Sequence, residues 1–476
     1  MSAQLEYTPL PQISEIHDRL RATYTSGVTR PLAYRRRQLL QLARLLQENA
    51  VAFENAELED LGKPRQEVAL VELGGTISSA LRAAENLEEW MKPEKPTVEE
   101  WRNSWDTTIY KVPKGVALII SPWNYPVILS FNPLVGAIAA GCPVVLKPSE
   151  STPAISGLIT SLVPKYLDPD GYAVVNGAVK ETTALLDLRW DHIFFTGGTK
   201  IGKIVAAAAA KYVTPLTLEL GGKSPVIVDT ACDIQLAAKR VLYGKAQNSG
   251  QLCVSPDYIL VPKAIVKEFN EAVKKTYEEF WPKTPFHPEA QWGKIVNPLH
   301  YSRVMTLIGR TKGEIIAGGE VDGVRRIATT VVANVQQADA LMEEENFGPV
   351  LPILEVEDVD EAISIVASRP TPLVIYAFTD SEETKQKIVE KTNSGCICLN
   401  DTISQLGVHE IPFGGHGDSG YGAYHGKATF DIFTHRRGFI NVPKEIEPYV
   451  AFRYPPYTEE GYKKASAGVH VKIPDA

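Results

Sequence analysis

Short apolar runs alternate with longer amphipathic stretches from about residue 115 to residue 400, and this alternation limits the possible folds most strongly. In the first half the runs are "GVALIIS", "PVVLKPS", "YAVVNG" and "HIFFTGG". A strand buried on both faces of a parallel sheet is continuously apolar, and a helix returns the chain to begin the next parallel strand. The sequence therefore predicts an α/β fold built on doubly wound parallel sheets.

A second series of runs begins near residue 216 and predicts a second sheet. Its strands are "PVIVD", "YILVP", "VLPILEVED", "LVIYAFT" and "GCICLN". Because one hydrophobic core stops growing at roughly 250 to 300 residues, a chain of 476 residues is expected to form two large domains. Residues 13–91 have helical periodicity, whereas "PFGGHGDSGYGAYHG" is too rich in glycine for regular elements.

The composition argues against several classes of function. The chain is 44% hydrophobic with a formal net charge of -8, so it can form a core and has no general attraction for nucleic acid. The basic run "YRRRQ" lies in a helical pattern and is interpreted as a solvated helix face. No apolar run reaches the roughly 18 residues that a membrane span needs, and the first residues show no signal pattern.

The cysteines lie at positions 142, 232, 253, 396 and 398. Their spacing fits neither a metal site nor the disulfide framework of a secreted domain. We therefore expect no bound metal and a reducing, cytoplasmic compartment. Cys396 and Cys398 alternate within a strand-like run, which predicts that both lie on one face of a strand.

Three polar residues stand in segments that suit catalysis, and each has an ordinary alternative. Cys253 in "NSGQLCVSP" fits a reactive thiol in a loop or a small buried side chain. Glu219 in "TLELGGKSP" ends a strand-like run and fits a desolvated general base or a surface carboxylate. Asn124 in "SPWNYP" fits an oxyanion donor or a turn residue. Residue types and spacing leave these alternatives open.

Two further segments follow predicted strands and suit contacts with ribose or phosphate. "KPSE" carries Lys147 and Glu150, which fit ribose hydroxyls or a plain charged loop. "FTGGTKIG" places Gly197, Gly198 and Gly202 between a strand and a helix, where glycine lets the backbone approach a phosphate. The three glycines do not match the usual dinucleotide-binding spacing, and a simple turn is the alternative.

Taken in order, seven segments resemble the aldehyde dehydrogenase superfamily. They are "SPWNYP", "LKPSE", "FTGGTKIG", "LELGGKSP", "GQLC", "EENFGPVLP" and "PFGG". The additional segments "GAIAAG", "YHG", "FTHRR" and "RYPP" are similar to the class-three branch, which includes fatty-aldehyde and fungal apocarotenal dehydrogenases. Each segment is weak alone, but their number and order make the resemblance specific over most of the chain.

The resemblance implies a role for each candidate residue. Cys253 would be the nucleophile, Glu219 the general base and Asn124 the oxyanion donor. The implied cofactor is NAD, with NADP as the other possibility, and no metal takes part. The residues implied to bind the cofactor are Lys147, Glu150, Gly197, Gly198, Gly202, Glu345 and Phe347.

Two positions depart from the usual family pattern, and both lie in the cofactor segments. Asn346 stands before Phe347 where the family usually has isoleucine, and Gly198 stands where many members have serine. The second departure removes a hydroxyl that could contact pyrophosphate. Glu150 beside a ribose 2'-hydroxyl would repel a 2'-phosphate, which favours NAD over NADP.

The resemblance also implies a domain arrangement. Residues 1–95 and 109–217 would form a Rossmann-like NAD(P)-binding domain, and residues 218–400 would form the catalytic domain. A small oligomerisation element would consist of residues 96–108 and 401–450, followed by an exposed tail at residues 451–476. The short lead before the first helices implies a homodimer.

The implied reaction is NAD(P)+-dependent oxidation of a hydrophobic aldehyde, medium- or long-chain aliphatic or apocarotenoid, to the carboxylic acid. Two alternatives are a non-catalytic binding or structural protein of the same fold and a dehydrogenase that passes the acyl group to coenzyme A. Tyr125, the region of Leu129 and residues 413–426 are candidates for the substrate pocket walls. Membrane association is expected only if a longer chain carries a carboxyl-terminal anchor, since this sequence ends in "VHVKIPDA".

Overall fold

The computed structural model describes residues 5–475. In chain order the α-helices are α1 (Leu10–Ser26), α2 (Leu32–Glu48), α3 (Ala50–Leu61), α4 (Arg65–Glu67), α5 (Gly75–Met91), α6 (Ile128–Ala140), α7 (Pro153–Tyr166), α8 (Val179–Leu186), α9 (Thr199–Ala210), α10 (Ile234–Ala246), α11 (Val266–Phe280), α12 (Pro298–Arg310), α13 (Val359–Ala367), α14 (Glu382–Lys391), α15 (Gly426–Phe433), α16 (Glu447–Val450) and α17 (Glu459–Ser466). The β-strands are β1 (Thr108–Pro113), β2 (Ala117–Ile120), β3 (Val144–Lys147), β4 (Tyr172–Val174), β5 (His192–Thr196), β6 (Leu216–Glu219), β7 (Pro225–Val228), β8 (Tyr258–Pro262), β9 (Glu314–Ala317), β10 (Thr330–Ala333), β11 (Val350–Val356), β12 (Val374–Phe378), β13 (Cys396–Leu399), β14 (Gly420–Tyr421) and β15 (Thr434–Phe439).

The amino-terminal region is helical, as the periodicity of residues 13–91 predicts. In α1 the buried apolar residues Ile13, Ile16 and Leu20 recur at three and four positions and pack into the core of the first sheet. The sequence did not predict that Val68–Gly74, between α4 and α5, is a π-helix. Such one-turn insertions occur frequently at functional sites, and this one adjoins the cavity described below.

The first sheet has six strands in the order β14-β6-β5-β2-β3-β4. All neighbours are parallel except β14, which runs antiparallel to β6. From β2 the chain continues to β3 on one side, whereas from β5, on the other side of β2, it continues to β6. The loops after β2 and β5 therefore run in opposite directions and leave a crevice between them, which is where ligands bind in sheets of this kind. Strands β2, β3 and β5 are buried along their whole length, which explains their continuously apolar sequences.

The second sheet has seven strands in the order β13-β12-β7-β8-β11-β10-β9. Its neighbours are parallel apart from β9, which is antiparallel to β10. The predicted strands β7, β8, β11, β12 and β13 are all present, and the α/β fold class with two doubly wound sheets is confirmed. Two findings differ from prediction: β9 and β10 were not anticipated, and the glycine-rich segment contains the two-residue strand β14.

The described chain divides into two compact units. The larger contains the chain up to Trp90 and Pro113–Thr434, and therefore holds both large sheets. The smaller contains Met91–Val112 and the chain from His435 onward. Within the smaller unit, β1 and β15 form a two-stranded sheet, and Arg436 binds the carboxylate of Glu94. The finer boundaries proposed from the sequence stay a prediction.

No helix among the residues described here combines the length and apolar character needed to cross a bilayer. Over the same residues, 5–475, no group of three or more histidine, cysteine, aspartate or glutamate side chains is arranged to hold a metal ion.

Candidate active site

The register of the first sheet brings several predicted site residues to one edge. Lys147 at the end of β3 lies opposite Ile120 of β2, and Glu219 at the end of β6 lies opposite Thr196 of β5. Because these strands are parallel, their carboxyl ends share one edge, and the loops that follow them lie side by side. These loops carry Asn124, Glu150, Gly197 and Gly198.

The second sheet presents the amino ends of its strands to the same region. Cys253 lies shortly before β8, and Glu345 and Phe347 lie shortly before β11, the neighbour of β8. Gly221, in the loop that leaves the first sheet, has no space for a side chain, because a Cβ there would lie 2.2 Å from Glu345 Oε2. The carboxylate of Glu345 therefore packs directly against the loop that follows Glu219.

The loop before Cys253 has an unusual backbone. Asn248 and Ser249 adopt φ values of 47° and 53°, in the left-handed region that side chains rarely occupy. Gly250 follows with φ 69°, and a Cβ there would lie 2.2 Å from the Gly348 carbonyl oxygen. The turn is therefore held tightly against the segment before β11, which fixes the direction from which the Cys253 thiol is presented.

Asn124 is tied to this loop by hydrogen bonds. Its side-chain Nδ2 donates to the Gln251 carbonyl at 3.2 Å. In return, Asn248 Nδ2 donates to the Asn124 carbonyl at 2.7 Å and to the Gln251 carbonyl at 3.1 Å. Asn124 is 3% exposed, so its amide lies in a desolvated setting beside the cysteine loop.

The Cys253 thiol lies in a desolvated environment among acidic groups. Burial is the largest cause that raises its pKa to about 12, and the charges of Glu345 and Glu219 contribute to the same rise. The backbone N–H groups of Cys253 and Val254 face the sulfur and partly offset this rise. The thiol is thus protonated at neutral pH in the free protein, and two amide donors already point at the place where negative charge develops.

Glu219 is a buried carboxylate without a stabilising partner. It is 3% exposed, and neither of its side-chain oxygens makes a hydrogen bond to any part of the chain that the structure describes. Burial raises its pKa well above the usual glutamate range, and the nearby Gly415 N–H offsets only part of the rise. Gly414 permits this close approach, because a Cβ there would lie 3.0 Å from Glu219 Oε1. A desolvated carboxylate of this kind is suited to proton transfer.

A fully buried ionic cluster lies behind Asn124, and sequence reasoning did not find it. Lys63 Nζ contacts Glu72 at 2.5 Å and Glu57 at 3.3 Å, and all three side chains have no exposed surface. The second oxygen of Glu72 accepts from the N–H groups of Val127 and Ile128, at 3.1 and 2.8 Å, where α6 begins. Glu72 therefore anchors the end of the loop that carries Asn124.

Tyr125 joins this cluster to the cysteine loop. Lys63 Nζ lies 3.9 Å from the centre of the Tyr125 ring, and the Tyr125 hydroxyl donates to Glu67 Oε1 at 3.0 Å. Burial raises the pKa of Glu67, and a hydrogen bond that Glu67 accepts from the Asn248 N–H offsets part of this rise. The only sequence signal for the cluster is the spacing of acidic residues around Lys63 in "LGKPRQEVALVE". The sequence does not show that these side chains lie together, because only the folded chain brings them into contact.

A cavity of about 400 Å³ has Cys253 in its wall. Its apolar lining includes Leu70, Ile128, Leu129, Leu252, Ile403 and Leu406. Tyr125, Leu129 and residues of the 413–426 segment line it, as expected from the sequence. Asn124 and Glu219 do not line the cavity; they approach the thiol from neighbouring loops.

A larger cleft of about 840 Å³ lies between α7 and the start of the described chain and has none of the predicted site residues in its walls.

The crevice of the first sheet fits a dinucleotide cofactor. Gly198 is the N-cap residue of α9 and offers no side chain to cap the helix, and a Cβ at Gly198 would meet no other atom of the described chain within 4 Å. The buried Thr196 hydroxyl beside it has no hydrogen-bond partner. An open, uncapped helix start with a free hydroxyl suits a phosphate. Lys147 and Glu150 form an ion pair of 2.9 Å nearby, and Gly202 allows α9 to pack on Leu220.

Asn346, a departure from the family pattern, has a structural role. Its backbone N–H donates to Asp257 Oδ1 at 2.9 Å, and its Nδ2 donates to the Asp257 carbonyl at 3.1 Å. Lys223 also binds Asp257 and the Glu344 carbonyl. The segment that carries Glu345 and Phe347 is thus fixed by polar contacts, and Phe347 packs against Trp123 with ring centres 5.4 Å apart. Burial raises the pKa of Glu345 to about 8.

Fold and site together define an α/β enzyme in which an apolar cavity has the half-buried Cys253 thiol in its wall. The description of the matching family model is "Aldehyde dehydrogenase family", and it matches residues 12–438. Aldehyde dehydrogenase family 3 member H1 of Arabidopsis thaliana is 41% identical over 98% of this chain and 96% of its own. The dimeric NADP-preferring aldehyde dehydrogenase of Mus musculus is 41% identical over 94% of this chain and 98% of its own.

A solved structure agrees with these sequence relatives. The substrate-bound Staphylococcus aureus AldH superposes with a TM-score of 0.92 at 37% identity, covering 96% of this chain and 99% of that one. The chain belongs to the aldehyde dehydrogenase family and is an aldehyde dehydrogenase. The predicted family, its class-three branch, the fold class and the enzyme class are therefore confirmed.

Proposed function

We propose that this enzyme oxidises a hydrophobic aldehyde, medium- or long-chain aliphatic or apocarotenoid, to the carboxylic acid through a thioester on Cys253. The observation that carries this proposal is the apolar cavity of about 400 Å³ with the Cys253 thiol in its wall. Burying an alkyl chain there is favourable by roughly 0.8 kcal/mol for each CH₂ group. A long apolar aldehyde thus gains binding energy that a short one lacks.

The first step assigned to the protein is attack by Cys253. The thiol first gives up its proton to solvent water, and the resulting thiolate sulfur adds to the aldehyde carbon. The C=O electron pair moves to the oxygen, which becomes negative in the thiohemiacetal. The Asn124 amide and the Cys253 N–H are the donors placed to stabilise that oxygen, and loss of one such donor typically lowers turnover about 100-fold to 1,000-fold. The hydrogen bonds from Asn248 and Asn124 to the Gln251 carbonyl hold the loop that carries Asn124 against the loop that carries Cys253.

The residues that would hold NAD(P)+ are Lys147 and Glu150 at the ribose and Gly197, Gly198 and Gly202 beside the pyrophosphate. Glu345 and Phe347 would lie at the nicotinamide end. When bound, the cofactor supplies the acceptor for the hydride that leaves the former aldehyde carbon. The mouse relative is named NADP-preferring. We favour NAD+ here because the Glu150 carboxylate would repel a 2'-phosphate, although its ion pair with Lys147 reduces that repulsion.

Glu219 is assigned the final step, hydrolysis of the thioester. Its unpartnered, desolvated carboxylate can take a proton from the attacking water. This residue favours the free acid as product over transfer of the acyl group to coenzyme A. The presence of Cys253, Glu219 and Asn124 in one site also argues against a non-catalytic protein of the same fold.

We also propose that the enzyme is a homodimer with a cytoplasmic location. Within residues 5–475, strand β13 is at an edge of the second sheet and pairs with β12 alone, and its four residues are half-buried. An edge strand of this kind is a ready site for pairing with another chain.

The test is NADH or NADPH formation at 340 nm with purified enzyme, either cofactor, and aldehydes from propanal to a long-chain enal and an apocarotenal. We expect kcat/KM to rise with chain length, until the cavity is filled. A flat series, or one in which propanal is best, would contradict the hydrophobic substrate class. Repeating the series with coenzyme A and analysing the product as acid or thioester separates the two acyl acceptors.

A further inference from the structure

We infer that Asn132, His409 and His425 form a hydrogen-bonding subsite in the wall of the substrate cavity, which binds a hydroxyl group on the chain of the aldehyde. The inference rests on the proposed function, because it assumes that the chain of the substrate occupies this cavity. It adds that the preferred substrate is not a plain hydrocarbon chain but carries an oxygen substituent at a defined distance from the aldehyde carbon.

The three residues come from separate elements and line one region. Asn132 lies on α6, His409 lies in the loop before Phe413, and His425 directly precedes α15. All three line both the main cavity and a small side space of about 20 Å³ next to it. The imidazole centres of His409 and His425 are 5.7 Å apart.

The polar atoms of this region lack partners although they are buried. Asn132 Oδ1, His409 Nδ1 and His425 Nδ1 are each shielded from solvent and make no hydrogen bond to any described residue. Asn132 and His425 are both 6% exposed. Leaving a buried polar group unpaired is unfavourable, so three such atoms in one place indicate a missing hydrogen-bonding partner.

The protein fixes His425 in place rather than leaving it free to turn away. Its backbone is held at φ 81°, a left-handed conformation that is unfavourable for a residue with a side chain. Phe413 stacks on its ring with centres 5.2 Å apart, and Tyr424 packs edge-on at 4.8 Å. The imidazole is thus clamped between aromatic rings with one nitrogen unpaired.

The available atoms select a hydroxyl over a charged group. Burial lowers the pKa of His425 to about 4 and also lowers that of His409, so both rings are neutral at pH 7. A neutral imidazole donates or accepts according to its tautomer, and the Asn132 oxygen accepts. A hydroxyl can donate to Asn132 and accept from a histidine at the same time, whereas a carboxylate could only accept. The nearest exposed charges, Arg82 and Glu410, neutralise each other in an ion pair of 2.6 Å.

The test compares decanal with a set of decanals that each carry one hydroxyl, at successive carbons along the chain. A site built to bind a hydroxyl discriminates strongly against positions that leave it unpaired. We expect kcat/KM of the wild-type enzyme to be about tenfold higher for one hydroxyl position than for its neighbours. Asn132→Leu and His425→Phe should each reduce this preference to less than about threefold while retaining activity on decanal.

Tyr243→Phe is the matched control. Tyr243 also lines the cavity, from α10, and its loss of one hydroxyl should leave the positional preference unchanged. Equal rates for every hydroxyl position in the wild-type enzyme would overturn the inference. That result would mean that the side space holds only a fixed water. A preference that persists in both variants would also overturn it. In either case activity on decanal would keep the proposed function intact, whereas activity on propanal alone would reject the proposed function itself.

Discussion

At the scale of single residues, the Cys253 thiol is controlled by the carboxylates around it. Glu345 has a pKa of about 8, so it becomes negatively charged above that pH and then opposes ionisation of the thiol. In Glu345→Gln the thiol should ionise at lower pH, and alkylation by iodoacetamide between pH 8 and 10 should be about threefold to tenfold faster. The alkylation rate at Cys253 can be followed by mass spectrometry of the digested protein.

Glu343→Gln provides the control for this experiment. Glu343 lies two residues away and pairs with Arg310 at the surface, at 2.6 Å, so its loss should leave the alkylation profile of Cys253 unchanged. Identical profiles for the wild type and Glu345→Gln would contradict the electrostatic coupling between Glu345 and the thiol.

The residues that carry chemistry were easier to predict than those that support them. Cys253, Glu219 and Asn124 stand in short segments with a recognisable order, and the fold brings them to one region. Tyr125 was expected from the sequence only as a cavity wall, and its contact with the buried pair Lys63 and Glu72 was not predicted, because charged residues look like ordinary surface residues until folding removes their solvent. The 413–426 segment, which includes His425, was likewise expected in the cavity wall. Its meeting with Asn132 and His409 was not predicted, because Asn132 lies nearly 300 positions earlier in the chain.

At the scale of elements, Glu72 links the π-helix to the start of α6. It is an ion-pair partner of the buried Lys63 and an acceptor for two N–H groups of α6. Glu72→Gln leaves the Lys63 charge largely uncompensated, and breaking such a buried pair typically costs about 3 to 5 kcal/mol. The midpoint of urea-induced unfolding should therefore fall clearly for this variant.

Glu57→Gln is the matched variant for that measurement. Glu57 also faces Lys63, but at 3.3 Å rather than 2.5 Å, and burial raises its pKa well above the usual glutamate range. Because its contact with Lys63 is the longer one and burial favours its neutral form, replacing Glu57 with an amide should cost less than about 1 kcal/mol. Equal losses of stability for the two variants would contradict the assignment of the main Lys63 contact to Glu72.

The sequence predicted most of the strands that are buried on both faces, but it missed β10, which is buried along its length, together with the less buried β9 and β14. Strands such as β2 and β7 are continuously apolar because helices cover both sides of the sheet. Strand β9 is half-exposed, and β14 has only two residues and includes Gly420. Neither produces a run of apolar residues, so only pairing with β10 and β6 reveals them.

At the scale of the whole molecule, the proposed homodimer should depend on the edge strand β13. Ile397 and Leu399 pack toward the core, which leaves Cys396 and Cys398 on the other face of the strand. Cys396→Glu should shift the protein from twice the mass of one chain toward a single chain in sedimentation velocity. Lys391→Glu, an exposed change on α14, should leave it dimeric. A wild-type protein that sediments as a single chain would reject the dimer.

The central claim is that the aldehyde carbon becomes a thioester on Cys253, which Glu219 then helps to hydrolyse. The direct test mixes Glu219→Gln with decanal and NAD+, quenches the reaction in acid, and identifies the modified peptide by mass spectrometry. Glu219 can act as a base only after it loses its proton, and because burial raises its pKa, hydrolysis in the wild type should be slow at low pH. Hydrolysis should also be slow in Glu219→Gln, which has no carboxylate at this position. We predict a decanoyl group on Cys253, formed with about one equivalent of NADH per active site and followed by turnover reduced roughly 100-fold to 10,000-fold. NADH formation without an acyl group on Cys253, or an acyl group on another cysteine, would contradict the mechanism.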